Sequence, residues 1–107
     1  MFESSQIILT TCPDEILAKQ LARALVEKKL AACVKIIPNI QSIYFWDEAL
    51  VEKNEYQLLI MTRDSCFDEI KDLLKEIHVY DVPEIVSLSI HHGSTEYLNW
   101  IKDYVQN

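Results

Sequence analysis

The order of the apolar patterns predicts an α+β domain whose elements run β-α-β-β-α-β, with a short helix at the end of the chain. Three observations predict this class. Two stripes with helical spacing alternate with runs rich in β-branched and aromatic residues. Only Asp47 and Glu48 separate the two central runs. The 107 residues are half apolar and one quarter charged, as in one globular domain, and we therefore treat residues 1–107 as a single domain.

The first half of the chain predicts a strand, a helix and one arm of a hairpin. The strand covers residues 6–11, and the helix extends over residues 13–29 with Pro13 in its first turn. The second strand covers residues 32–46. Pro38 and Asn39 predict a bulge in that strand, because proline has no N–H to donate to a neighbouring strand. The apolar stripe of the helix contains Leu17, Leu21 and Leu25, with Ala18 and Ala22 beside it.

A long hairpin is the most unusual predicted element. Its return strand covers residues 50–63, so both arms exceed the usual strand length of about 3–10 residues. We expect the tip to project past the body of so small a domain and to need a partner. Residues 58–61 are all apolar, which predicts that this stretch is covered on both faces.

The last third predicts a helix, a loop, a strand and a terminal helix. Ser65 begins the helix, and residues 78–83 form the loop. In the strand over residues 86–90, apolar residues alternate with serines, which predicts one drier face. Ser94 or Thr95 caps the terminal helix. The complete order is the split-βαβ or ferredoxin-like arrangement. The stripe of the first of these helices contains Phe67, Ile70, Leu73, Leu74 and Ile77.

Composition excludes several classes of protein. The only glycine, Gly93, excludes a P-loop, a dinucleotide fingerprint and a GxSxG elbow, which each need at least two glycines. The three cysteines form no CxxC pair, which excludes a zinc finger and a thioredoxin-type redox site. A net charge of −7 disfavours nonspecific binding to nucleic acid, because the phosphate backbone is also negative. There is no apolar run near 18 residues and no basic apolar leader, so we expect a cytoplasmic protein without a membrane partner. No nucleophile with a spaced base appears, and we expect no enzyme.

A candidate metal site lies where the topology gathers a thiol, an imidazole and a carboxylate. In the strand order 4-1-3-2, the end of the first strand, the hairpin tip, the end of the second helix and the start of the last strand share one end of the molecule. Cys12, His78 and Glu84 meet there, and sulfur with imidazole favours copper or zinc. In the alternative interpretation, His78 caps its helix and Cys12 fills the core as a small apolar side chain.

Aromatic residues at the same end predict a ligand cleft. Tyr44 and Trp46 on the hairpin could stack a ligand, with Tyr80 beside them; such clusters also serve as interface anchors. Tyr80 and Glu84 could act as acid and base, but nothing identifies a substrate. His91 and His92 are expected in a solvent-facing turn at the other end of the molecule.

Six blocks along residues 6–105 resemble the CutA divalent-cation-tolerance family. They occur in the family's order, although Val79 stands where the family usually has proline. The six blocks are Leu30-Ala31-Ala32-Cys33-Val34, Ile36-Ile37-Pro38, Ser42-Ile43-Tyr44 with Trp46 after it, Thr62-Arg63, His78-Val79-Tyr80-Asp81-Val82-Pro83-Glu84, and Tyr97-Leu98-Asn99-Trp100.

The resemblance implies a tight homotrimer, similar in architecture to PII signalling proteins. It also implies binding of copper(II) or another divalent metal and a part in metal-ion tolerance. We therefore expect a trimeric metal-binding protein. The alternative is a PII-like signalling or interaction module that binds a small effector or a protein in clefts between subunits.

Overall fold

The computed structural model describes residues 4–77 and 79–105 and confirms the predicted order of elements. Its four strands form one sheet in the order β2-β3-β1-β4, with all neighbours antiparallel. This order is the predicted one, read from the opposite edge. The elements are β1 (Ser5–Cys12), α1 (Glu15–Glu27), β2 (Cys33–Trp46), β3 (Ala49–Arg63), α2 (Phe67–Ile77), β4 (Val86–Ser89) and α3 (Thr95–Tyr104).

Side-chain caps and one left-handed residue set the helix ends. The Asp14 carboxylate accepts the Leu17 N–H at 2.8 Å, which satisfies a free donor at the start of α1. The helix ends before the predicted residue 29, because Lys29 adopts φ 60° and turns the chain towards β2. Ser94 caps α3 by accepting the Tyr97 N–H at 3.3 Å.

The hairpin of β2 and β3 extends well beyond the rest of the sheet, as predicted. Asp47 and Glu48 form the two-residue turn with φ of 49° and 64°, the left-handed pair that suits the twist of two strands. The register shifts between Ile37 and Ile40, where the bulge was predicted. Pairing with β1 stops at Tyr56, so the strand segment before it pairs only with β2. The molecule is consequently elongated, at 45 × 25 × 22 Å.

One face of the sheet carries the hydrophobic core. Register places Ile8 opposite Ile60 and Thr10 opposite Leu58, and all four side chains are fully buried. Ile8, Leu58 and Ile60 share one cluster with apolar residues from all three helices, which is why the stripes predicted for α1 and α2 are needed for folding. The helical members that are fully buried are Ala18, Leu21, Leu25, Ile70, Leu74 and Ile101.

The opposite face of the sheet, which we call the open face, corrects the expectation for the last strand. β4 ends at Ser89, and its apolar residues Val86 and Leu88 are 46% and 52% exposed. They alternate onto the open face, whereas Ser87 lies on the helix side and donates to the Gln6 side chain at 2.7 Å. The prediction of a drier face is therefore wrong for the single chain, because the three helices of the described residues pack on the other side of the sheet.

The run at residues 58–61 is covered only in part. Leu58 and Ile60 are fully buried on the helix side of the sheet. Met61 is almost fully buried on the open face. Leu59 lies beside Leu9 on the open face and stays half-buried. The prediction of cover on both faces therefore holds incompletely within one chain.

Candidate functional site

A cleft of about 600 Å³ lies between the projecting part of the hairpin and the chain segment at residues 79–84. Thr11, at the end of β1, forms its floor with Glu55 of β3, which is only 5% exposed. The antiparallel topology brings these elements together at one end of the sheet. The remaining lining residues are Ser42, Tyr44, Trp46, Val51, Lys53, Val79, Tyr80, Asp81, Val82 and Glu84.

The buried carboxylate of Glu55 is held by hydroxyl groups. The Tyr80 hydroxyl donates to Glu55 Oε2 at 2.7 Å, and Ser42 and Thr11 donate to the same side chain. Burial favours the protonated acid and raises its pKa. The three hydrogen bonds and the nearby Lys53 ammonium outweigh burial, so the pKa of Glu55 lies below its ordinary value. Glu55 is therefore an ionised carboxylate inside the protein, and hydrogen bonds from neighbouring hydroxyl groups stabilise its charge.

Tyr80 joins the segment at residues 79–84 to the hairpin. Its ring lies beneath the Lys53 ammonium, with Nζ 4.1 Å from the ring centroid, and the same Nζ is 5.9 Å from the Tyr44 centroid. Both distances fall within the range of a cation–π interaction. Burial, followed by donation to Glu55, raises the pKa of Tyr80 well above its ordinary value. Tyr80 is thus a permanent hydrogen-bond donor here.

Cys12 lies behind the cleft and is not among its lining residues. It is fully buried, and its Sγ donates to the Asp14 carbonyl at 3.7 Å. Burial and then the Asp14 carboxylate raise the pKa of the Cys12 thiol to about 11. At neutral pH Cys12 is therefore a protonated side chain of the core, which matches the alternative interpretation of this residue.

The predicted metal ligands are distributed unevenly around the cleft. Glu84 lines it, exposed, and accepts from Gln57 Nε2 at 3.4 Å. His78 lies outside the described residues. Within residues 4–77 and 79–105, no three cysteine, histidine or acidic side chains come together as a set that could hold a metal ion.

The predicted aromatic residues do converge. Tyr44, Trp46 and Tyr80 all line this cleft. The predicted topology had placed the elements that carry them at the same end of the molecule. Trp46 presents 46% of its surface to solvent, so a large part of its indole is free to contact another molecule.

Comparison with known proteins places this geometry in a family. A sequence model described as CutA1 divalent ion tolerance protein matches residues 6–104. The chain belongs to the CutA1 family. A divalent-cation tolerance protein CutA from Thermus thermophilus is 45% identical over 98 residues, which cover 92% of this chain and 95% of that protein. Human protein CutA is 40% identical over 97 residues, 91% of this chain, and the chain spans only 54% of its length.

Solved CutA1 structures share the whole fold. The crystal structure described as stable protein CutA1 from a psychrotrophic Shewanella superposes with a TM-score of 0.94 at 38% identity, covering 100% of both chains. The Thermus thermophilus structure gives a TM-score of 0.92 at 43% identity, covering 95% of this chain and 99% of the other. The family that the sequence motifs resembled is therefore confirmed.

Glu55 and Lys53 are the residues of this CutA1 chain that the sequence analysis missed. A signal was available in the hairpin register. A two-residue turn at Asp47 and Glu48 places Trp46 opposite Ala49, and alternation then places Ser42 opposite Lys53 on the same face as Tyr44. The hairpin register alone therefore places Lys53 on the same face as Tyr44 and Trp46. The burial of Glu55 had no comparable signal, because it depends on the distant segment that contains Tyr80.

The remaining candidates lie away from the cleft. Cys66 is buried, whereas Cys33, in an apolar run, is partly exposed on the open face. His91 and His92 are exposed beyond the end of β4, with ring centroids 4.2 Å apart. They lie near the start of β1, because Ile90 donates to the Ser5 carbonyl. Among the helices of the described ranges, none is long and apolar enough to cross a membrane.

Proposed function

We propose that this protein is a cytoplasmic homotrimer that binds copper(II) or another divalent metal ion and contributes to metal-ion tolerance. Membership of the CutA1 family over residues 6–104 is the observation that carries this proposal. The family description and the names of the relatives refer to divalent ion tolerance, and the tolerance role comes to this chain from them. The proposal assigns no catalytic step to the protein.

Uncovered apolar surface supports the trimer. Ile37, Val86 and Leu88 are exposed on the open face, and Phe45 near the hairpin tip is 73% exposed. Removing apolar surface from water stabilises an assembly by about 25 cal/mol per Å². Two further copies of the chain could cover this surface and pair with its sheet edges. Sedimentation equilibrium at micromolar concentration should give three times the chain mass of 12.5 kDa; a monomer would refute the trimer.

The metal site of this proposal uses the side chains of Cys12, His78 and Glu84. The residues fit copper in part. Glu84 offers an exposed carboxylate, whereas the Cys12 thiol would first have to lose a proton that burial holds in place. We therefore expect the Cys12→Ser substitution to weaken copper(II) binding less than His78→Ala does.

Competition titration with copper(II) tests the metal site. His78→Ala should weaken binding roughly tenfold or more, because it removes a ligand nitrogen, whereas His92→Ala should have no effect. His92 is a matched control, since it is exposed and lies at the other end of β4. Binding should fade as the pH falls through about 6.5, where imidazole becomes protonated. Equal losses in the two variants, or a loss only in His92→Ala, would refute the site.

The cleft favours a second candidate function, that of a PII-like module that binds a small effector. A cavity of about 600 Å³ with three aromatic side chains is within the usual range for small-molecule sites. The two candidates differ in their metal dependence. An effector module binds its ligand in the presence of a chelator, whereas the tolerance function requires copper(II) or another divalent ion.

A further inference from the structure

The charges around the cleft indicate which ligands it would accept. Among the lining residues that the structure describes, Lys53 is the one cation, against the three carboxylates of Glu55, Asp81 and Glu84. The chain as a whole carries a net charge of −7, which attracts cations towards such a cleft and repels anions. An anion bound here would have to approach three carboxylates in order to reach a single ammonium.

The state of Lys53 makes an anion site less favourable still. Its Nζ lies 4.1 Å from the centroid of Tyr80, so this ammonium already has an aromatic partner inside the protein. An anion that recruited Lys53 would have to draw it away from that ring. The Glu55 carboxylate is likewise occupied by hydroxyl donors, which leaves Asp81 and Glu84 as the exposed charges of the cleft.

Lys53 also shows what the aromatic rings of the cleft can bind. An alkylammonium group is the type of cation that favours the face of tyrosine or tryptophan. Lys53 covers the Tyr80 ring and lies at the outer limit of such an interaction with Tyr44, at 5.9 Å. Trp46, whose indole is the better cation partner, has no such contact with Lys53 and keeps an exposed surface in the cleft.

We propose that the cleft binds a small organic cation of the alkylammonium or guanidinium class against Tyr44 and Trp46, with its charge facing Asp81 and Glu84. The inference deepens the second candidate function and rests on it, and it does not involve copper. Val51, Val79 and Val82 offer apolar surface to the alkyl part of the ligand. Lys53 then acts as an internal competitor, since its positive charge lies beside the site.

Four small probes, each with an alkyl chain of three or four carbons, test this proposal. Butylammonium and butylguanidinium carry the proposed charge, butanol carries none, and butyrate carries the opposite one. Titrations followed by NMR chemical shifts, with a chelator present to remove copper, should show both cations binding and shifting the Trp46 indole signal. Butanol and butyrate should bind much more weakly. Trp46→Leu should weaken cation binding about two- to fivefold, the contribution of one exposed ring.

Trp100→Leu is the matched control, because Trp100 is an indole of similar exposure, 38%, on α3 and outside the cleft. It should leave butylammonium binding unchanged. Lys53→Met tests whether the cleft prefers a positively charged ligand. With the competing ammonium removed, cations should bind about threefold tighter, as expected for one charge roughly 6 Å away in water. Far-ultraviolet circular dichroism establishes that each variant is folded.

Each alternative result overturns the inference in a different way. If butyrate binds best and Lys53→Met abolishes its binding, the cleft is an anion site and the effector function survives without the proposed ligand class. If no probe binds, or if Trp46→Leu and Trp100→Leu behave alike, the organic-cation site is wrong. The copper titration is then unaffected, so the metal-binding proposal stands or falls separately.

Discussion

Replacing Tyr80 with phenylalanine removes one hydroxyl from the cleft and leaves the ring in place. That hydroxyl donates at 2.7 Å to Glu55, a carboxylate that is 5% exposed. The bond joins the segment at residues 79–84 to the hairpin. We expect the Tyr80→Phe substitution to destabilise the folded protein and to loosen this segment over the cleft.

The size of the effect follows from the partners that Glu55 keeps. A hydrogen bond to a charged group contributes about 1.5–3 kcal/mol to stability, and a buried charge without partners costs more. Ser42 and Thr11 still donate to Glu55 in the variant, so the carboxylate is not left without partners. The loss should therefore lie at the lower end of that range, at about 1.5–2 kcal/mol in the free energy of unfolding.

The same bond makes stability depend on pH. The pKa of Glu55 is lower in the folded state than its ordinary value of 4.5. A depressed pKa contributes stability that is fully present above the unfolded-state value and is lost as the pH falls through the folded-state value. In Tyr80→Phe the folded-state pKa moves back up, so less stability remains to be lost below pH 4.5.

Urea unfolding at a fixed protein concentration measures both effects. At pH 7 the variant should unfold at a lower urea concentration with an unchanged slope. At pH 3 the difference between wild type and variant should shrink. Tyr97→Phe is the control, because Tyr97 is an exposed tyrosine of α3 outside the cleft. A loss below 0.5 kcal/mol at pH 7, or equal losses in the two variants, would contradict the assigned role of the hydroxyl.

Two further predictions concern the turn and the thiols. Glu48→Gly should stabilise the protein by about 1 kcal/mol, because Glu48 has φ 64° and glycine adopts this conformation without strain. Urea unfolding measures the change, with Glu52→Gly, in the strand, as the control. A Glu48→Gly protein that is less stable than wild type would contradict the prediction. A thiol reagent at pH 8 should modify Cys33 before Cys12, because Cys12 is buried and its thiol has a pKa of about 11. Rapid modification of Cys12 in the folded protein would show that this thiol is not buried.

Local patterns in the sequence determined the elements and their order. Helical stripes, the proline at residue 38 and the two-residue turn each act through nearby residues, so they could be interpreted without knowledge of the tertiary fold. Together with known strand order they also predicted which end of the molecule contains Tyr44, Trp46, Tyr80 and Glu84. The hairpin's length and projection came from the same local patterns.

Burial and side-chain partners were decided only by the tertiary structure. Cys12 has a raised pKa because the sheet and helices close over it, and nothing in its neighbouring residues indicates that closure. Val86 and Leu88 alternate as a buried face would, yet the helices pack on the other side of the sheet. Glu55 and Tyr80 are 25 residues apart and meet only because α2 returns the chain to the hairpin. These properties depend on contacts between distant segments, whereas a sequence pattern specifies only the geometry of neighbouring residues.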